Sequence, residues 1–222
     1  MSAIFITGAG TDIGKTHIAC ALLSAWRAQG VACDALKPVV TGFDEEAPAG
    51  SDPAKLLEAL GRDVNADTLQ RIAPLRFRAP LAPPLAAKLE GLEINYDALL
   101  EFARIRMTVT EGVLLIEGAG GVMSPLTETK TFVDYISDLG APCLFVAGSY
   151  LGAISHALTG LEVLALRDVP VLGVVVSESE TSAGLQETRD MIQRMRPDLP
   201  VYAAVRAAPI SDWADALAKG LR

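Results

Sequence analysis

The side chains best suited to chemistry sit in a few short segments, and the richest is Gly8-Ala9-Gly10-Thr11-Asp12-Ile13-Gly14-Lys15-Thr16. An apolar run leads into it and an Ala-rich amphipathic stretch follows at once. Strand, glycine loop and helix in that order make a phosphate cradle. Backbone N–H groups and the positive helix end surround a polyphosphate, Lys15 reaches its outer phosphates, and the Thr16 hydroxyl can ligate Mg²⁺. Gly14 allows the backbone to come close. The strict spacing of such loops wants glycine at position 9, where this chain has Ala9, and Gly8 lies one residue too early. The plain alternative is a strand-to-helix turn that happens to contain Gly-Lys-Thr.

A second lysine closes an apolar run in Ala35-Leu36-Lys37-Pro38-Val39-Val40-Thr41-Gly42. Strand C-termini share one edge of an open parallel sheet, so Lys37 and Thr41 are expected to face the crevice of the glycine loop. A solvated lysine is the competing reading. Glu117 ends the run Val113-Leu114-Leu115-Ile116 and opens Gly118-Ala119-Gly120-Gly121, a strand-terminal acid beside a glycine turn. Asp52, in Gly50-Ser51-Asp52-Pro53, reads equally as a helix N-cap or as a second carboxylate for the site. Mg²⁺ takes oxygen ligands from a hydroxyl, one or two carboxylates, water and phosphate, and Thr16, Asp52 and Glu117 can supply the protein's share.

The elements that must hold these groups follow from the apolar rhythm. Runs at Ala3–Thr7, Ala32–Leu36, Val113–Glu117, Cys143–Ala147, Val171–Ser177 and Val201–Val205 are largely apolar and do not alternate, as strands covered on both faces are. Helices are expected at Lys15–Gln29, Asn95–Met107 with Asn95 as cap, Phe132–Leu139, Leu151–Leu166, Ser182–Arg194 and Ile210–Lys219. The expected fold is therefore α/β: a single domain over residues 1–222, with a mostly parallel sheet flanked by helices on both faces. Thr41–Pro84 is rich in Pro, Gly and acids, and reads as active-site loops with short helical pieces such as Pro53–Leu60.

Composition narrows the function classes. Half of the residues are hydrophobic and the net charge is −8, so charge-driven binding to nucleic acid or to an anionic membrane is not expected and any phosphate site must be local. The start MSAIFITGAG has neither the basic segment nor the long apolar core of a secretory signal, which predicts a cytoplasmic protein. Cys20, Cys33 and Cys143 lie in apolar segments without CxxC spacing and read as small buried hydrophobes.

Taken in order, GAGTDIGKT, Lys37-Pro38-Val39 with Thr41-Gly42, Asp52, Glu117-Gly118-Ala119-Gly120-Gly121, Pro125-Leu126 and Leu151-Gly152-x-x-x-His156 resemble the dethiobiotin synthetase family of P-loop NTPases over nearly the whole chain. The extra residue between Gly8 and Gly14 matches that family's loop. The resemblance implies ATP- and Mg²⁺-dependent closure of a ureido ring on 7,8-diaminononanoate with CO₂, through a carbamate and a carbamic–phosphoric anhydride. It implies Lys37, Lys15 and Thr11 as catalytic groups. Nucleotide contacts would come from Asp12, Ile13, Gly14, Lys15, Thr16, His17, Asp52, Glu117, Gly118, Ala119, Gly120 and Ser177. Asp12, Thr41, Leu151, Gly152 and Ser155 would meet the diamine, the last three across a homodimer interface. His156 reads either as part of that segment or as a packed structural histidine, the second being preferred.

Three departures stand out, the first of little consequence. Thr41 replaces a common Ser and keeps the hydroxyl; Tyr150 stands where some relatives carry a basic residue; Ser177-Glu178 occupy the place of an adenine-reading Asn. ATP is therefore expected to work with modest discrimination against other nucleotides. The chief rival is a switch ATPase of the partition or septum-placement kind, whose loop usually carries an earlier lysine that is absent before Lys15.

Overall fold

The computed structural model describes residues 3–206 and 210–221, with the side chains of 210–212 outside the description. The elements run β1 (Ala3–Gly8), α1 (Lys15–Ala28), β2 (Cys33–Leu36), β3 (Val39–Thr41), α2 (Asp52–Ala59), α3 (Ala66–Ile72), β4 (Leu75–Phe77) and α4 (Pro83–Leu89). They continue with α5 (Tyr96–Val109), β5 (Val113–Glu117), α6 (Phe132–Leu139), β6 (Cys143–Ala147), α7 (Ala153–Leu166), β7 (Val171–Ser177), α8 (Leu185–Met195), β8 (Val201–Ala204) and α9 (Ile210–Gly220).

The six apolar runs form one sheet in the order β2-β5-β1-β6-β7-β8, and every pairing in it is parallel. Side chains alternate across the sheet, so each face carries its own core. Phe5 packs on the side with α5, α6 and α7, while Ile4 and Ile6 pack against α1, α3 and α9. All three are fully buried, which is why the strand reads as an unbroken apolar run. On α1, the buried Trp26 donates its indole N–H to the carbonyl of Ala218, which fastens the last helix to the first.

Helix signals acted as their chemistry predicts. The Asn95 side chain accepts from the Ala98 N–H at 3.0 Å and starts α5, and Gly140 ends α6 in the left-handed region. Gly152, also left-handed, is the N-cap of α7, so that helix begins two residues later than the sequence suggested. Similarly α8 begins at Leu185, after Gly184.

Thr41–Pro84 is more ordered than its composition implied. β3 and β4 pair in parallel as a separate two-stranded sheet, and α2, α3 and the start of α4 fill the remainder. The cap of α2 is Ser51, whose hydroxyl accepts from the Ala54 N–H, and Asp52 is the first helical residue instead of the cap. The cysteines also divide. Cys143 is buried, while Cys20 and Cys33 are only half-buried.

Candidate functional site

Sheet register creates the site before any side chain is considered. Leu36 lies opposite Ile116, and Ile6 opposite Glu117, so β2, β5 and β1 end side by side. Lys37, Glu117 and the glycine loop therefore leave the sheet at one edge. The loop is tightly wound: Asp12 has φ 56° and Gly14 φ 96°, both left-handed. At Gly14 a side chain would also place its Cβ 2.5 Å from the Ser177 hydroxyl, so glycine is required twice over. The Gly118–Gly121 turn packs on the loop from β5. A Cβ at Gly121 would come within 3.2 Å of the Ala9 and Gly10 backbone, and the Val122 N–H donates to the Gly8 carbonyl at 2.8 Å. Ala9 has no positive φ, so glycine is not needed there, and its N–H donates to the Val146 carbonyl at 3.0 Å.

Both lysines are buried in this edge, as is Glu117, which is only 1% exposed. Lys37 Nζ lies 2.6 Å from Glu117 Oε1 and 2.7 Å from Asp52 Oδ2. Thr16 Oγ1 donates to the same Glu117 oxygen at 2.6 Å, and Lys15 Nζ donates to the Gly10 carbonyl at 2.6 Å. Burial by itself would lower the Lys37 pKa, but Glu117 and Asp52 together outweigh it and hold the ammonium above its ordinary value. For Asp52 burial pulls upward, yet the charge and hydrogen bond of Lys37, with Thr16, keep the carboxyl below its usual range. Lys15 has no such pair: desolvation dominates and brings it down to about 8. A triphosphate laid along the loop would favour the ammonium and raise it again.

The donor set suits a hard divalent cation. Glu117 Oε2 is buried without a hydrogen-bond partner while Oε1 serves both Thr16 and Lys37. A buried carboxylate oxygen left open beside a hydroxyl and a second carboxylate is the kind of ligand Mg²⁺ accepts. Among the described residues no group of three or more His, Cys, Asp or Glu converges. The protein could thus supply only part of a coordination shell, as is usual for Mg²⁺ held partly by phosphate and water.

The other side of the loop is open. A cavity of about 570 Å³ is bounded by Thr11–Gly14 and His17, by Tyr150, and by Ser177–Thr181 with Arg206. Ser149 and Ser179 exchange two hydrogen bonds at 2.9 Å to hold this wall. Residues 179–181 and Arg206 were not singled out from the sequence, whereas Ser177 and Glu178 were. The polar run after β7 and the first charge after β8 are the signals that could have pointed to them, because strand C-terminal edges bind ligands.

A match to known families decides what kind of cradle this is. A family model described as an AAA domain covers residues 2–214. The chain is 50% identical over 207 residues to the ATP-dependent dethiobiotin synthetase BioD of Caulobacter sp. (strain K31), covering 93% of this chain and 89% of that one. It is 46% identical over 224 residues to the protein of the same name from Phenylobacterium zucineum (strain HLK1), covering 100% and 95%.

The chain belongs to the dethiobiotin synthetase family.

Its fold is shared more widely. The MinC:MinD cell division protein complex of Aquifex aeolicus matches with TM-score 0.55 at 14% identity, over 98% of this chain and 85% of that one. A ParA family ATPase from Chlorobium tepidum TLS matches at 0.53 and 13%, over 98% and 92%. At such identities the likeness concerns the fold alone.

Seen against the family's motif, the structure unites Lys15, Thr16, Lys37, Asp52, Glu117 and the Gly118–Gly120 turn, with Ile13, His17 and Ser177 on the cavity side. Thr11 and Asp12 are exposed at the loop's tip and Thr41 is half-buried at the end of β3. Leu151, Gly152 and Ser155 stand apart: all three are exposed at the start of α7, and the described hydrogen bonds of Lys15, Lys37 and Glu117 do not include them. His156 is not packed. It is exposed, with Nδ1 2.9 Å from the Tyr150 hydroxyl.

Proposed function

We propose that the chain closes the ureido ring of dethiobiotin from 7,8-diaminononanoate, CO₂ and ATP, releasing ADP and phosphate, with Mg²⁺ as the metal. The observation that carries this reading is Lys37, a buried ammonium held 2.6 and 2.7 Å from two carboxylates at the edge it shares with the phosphate loop.

One amine of the substrate takes up CO₂ as a carbamate, whose oxygen attacks the γ-phosphorus and expels ADP. The second amine then attacks the carbonyl carbon of the mixed anhydride, loses a proton, and expels phosphate. An anionic carbamate must approach an anionic triphosphate, so charge neutralisation and alignment carry most of the catalysis. Lys15 holds the β- and γ-phosphates, and Lys37 turns its remaining N–H toward the carbamate and the moving phosphoryl group. Thr11 and Thr41 hydrogen-bond the carbamate and amine ends, and the Asp12 carboxylate lies beside the diamine. Thr16, Asp52 and Glu117 would hold Mg²⁺, which neutralises phosphate charge.

Two features support a homodimer with the substrate at its interface. Leu151 is 91% exposed at the start of α7, and the N-terminus of that helix has no side-chain cap, so the positive end of the helix suits the substrate carboxylate from a neighbouring subunit. No described helix is long and apolar enough to cross a membrane, and the reading places the enzyme in the cytoplasm, as a consumer of ATP. Purified protein given diaminononanoate, bicarbonate, Mg²⁺ and ATP is expected to yield dethiobiotin, by mass spectrometry, with one phosphate per product. Phosphate release that ignores the diamine would replace the ligase with a switch ATPase.

A further inference from the structure

Asp34 lies on β2 three residues before Lys37, is 5% exposed, and is surrounded by arginines. Its Oδ1 takes Arg62 at 2.6 Å and the Ala35 N–H at 2.8 Å; its Oδ2 takes Arg106 at 2.8 Å, with Arg71 at 3.8 Å. One guanidinium would neutralise the carboxylate. The three come from different elements: Arg62 follows α2, Arg71 belongs to α3 and Arg106 to α5. Arg106 also donates to the Arg71 carbonyl, and the Lys37 N–H donates to the carbonyl of Ile72, the last residue of α3, at 2.7 Å.

This junction bears on the two partners of Lys37 unequally. Glu117 is fixed by strand pairing, because Leu36 and Ile116 are in register. Asp52 is not in the sheet. It begins α2, an eight-residue helix about 12 Å long that is effectively rigid. Arg27 of α1 holds the Ala59 carbonyl at the far end of that helix at 2.7 Å. Beyond it the Arg62 N–H donates to the Leu57 carbonyl at 2.9 Å and the Arg62 guanidinium reaches Asp34, so the link to β2 runs through Arg62 and a shift there is carried along the helix to Asp52.

We infer that the Arg62–Asp34 ion pair is a positioning device that sets Asp52 against Lys37, a role that rests on reading Lys37 and Asp52 as parts of the ligase site. Asp34 is the wrong residue to test it with, since removing its charge would leave the buried Arg106 unpaired. Arg62 is one-third exposed, and Arg106 still neutralises Asp34 in its absence.

The test is a double-mutant cycle of Arg62→Gln and Asp52→Asn, with Arg71→Gln as the control on the same carboxylate. Arg62→Gln is expected to lower kcat about tenfold to a hundredfold, as sub-ångström to ångström misplacement does, with KM for ATP nearly unchanged. In the Asp52→Asn background the same change should cost about twofold or less, and Arg71→Gln likewise. Arg62→Lys should recover part of the loss. A crystal structure of Arg62→Gln should show Asp52 Oδ2 outside hydrogen-bond distance of Lys37 Nζ, whatever the residual activity of the Asp52→Asn enzyme. Equal losses in both backgrounds, a matching loss in Arg71→Gln, or an unmoved Asp52 would overturn the positioning role alone. A wild-type enzyme that forms no dethiobiotin would instead overturn the ligase reading.

Discussion

The two ends of the phosphate loop are built differently. At one end Lys15, Lys37 and Glu117 are buried and every ammonium contact is 2.6 or 2.7 Å, so the geometry is fixed before a ligand arrives. At the other, an open cavity is lined by serines, two threonines and charged side chains, of which Arg206 and Glu180 pair at 3.1 Å. On the reading proposed above, preorganisation is concentrated where charge would move and is sparse where a base would rest. The chemistry at the first end should therefore be intolerant of change, and recognition at the second should be loose.

Lys37→Ala tests the rigid end most severely. A fall in kcat of roughly 10²–10³-fold is expected, the cost of losing a preorganised charge at the reacting group, with ATP binding still measurable by calorimetry. Unchanged turnover would remove Lys37 from the reaction. Gly14→Ala comes next, because it strains the loop and pushes on Ser177 at the junction of the two ends. A left-handed alanine costs about 1–2 kcal/mol before the clash is added, so ATP affinity should drop about tenfold to a hundredfold. A wild-type dissociation constant would show that the loop keeps its wound conformation with alanine at position 14.

The pH response of Lys15 is smaller and graded. With its pKa lowered to about 8 in the free protein, Lys15 is mostly neutral above that pH, while a bound triphosphate favours the ammonium. Metal-free ATP binding should take up a proton and weaken with rising pH by up to about tenfold per unit. Lys15→Met should abolish the slope. The sign for folding is opposite: between about 8 and the ordinary 10.5 the unfolded chain holds the proton more tightly, so this group adds stability as pH rises through that window. At the loose end, kcat/KM for ATP, GTP and CTP should lie within about tenfold of one another. ATP-only turnover at matched concentrations would show that Ser177–Thr181 read the base after all.

Much of the rigid end was legible because its residues punctuate strong patterns. Lys37 and Glu117 each stop an apolar run, and an ionic residue in that position must face the strand edge. Their mutual contact followed from parallel register. Asp52 was harder, since a helix-start aspartate is ambiguous until the helix is placed, and Ser51 proved to be the cap. β3 and β4 were missed because three residues, Val-Val-Thr and Leu-Arg-Phe, are too few to show a period. Half-buried Cys20 and Cys33 show the same limit, since an apolar neighbourhood in sequence does not say which side of a helix or strand edge faces inward. Asp34 reads as an unremarkable charge within a strand until three arginines distant in sequence meet it.

The strand order carries a consequence for inheritance. β1, β2 and β5, which hold the lysines and Glu117, lie together in the sheet and all precede Gly140, whereas β6, β7 and β8 are consecutive in both sheet and sequence after it. One crossover near Gly140 could exchange the base-side wall between relatives as a single piece. Recombination could then retune which nucleotide is used while Lys15, Lys37, Asp52 and Glu117 passed on intact, although the start of α7 would be exchanged along with the wall.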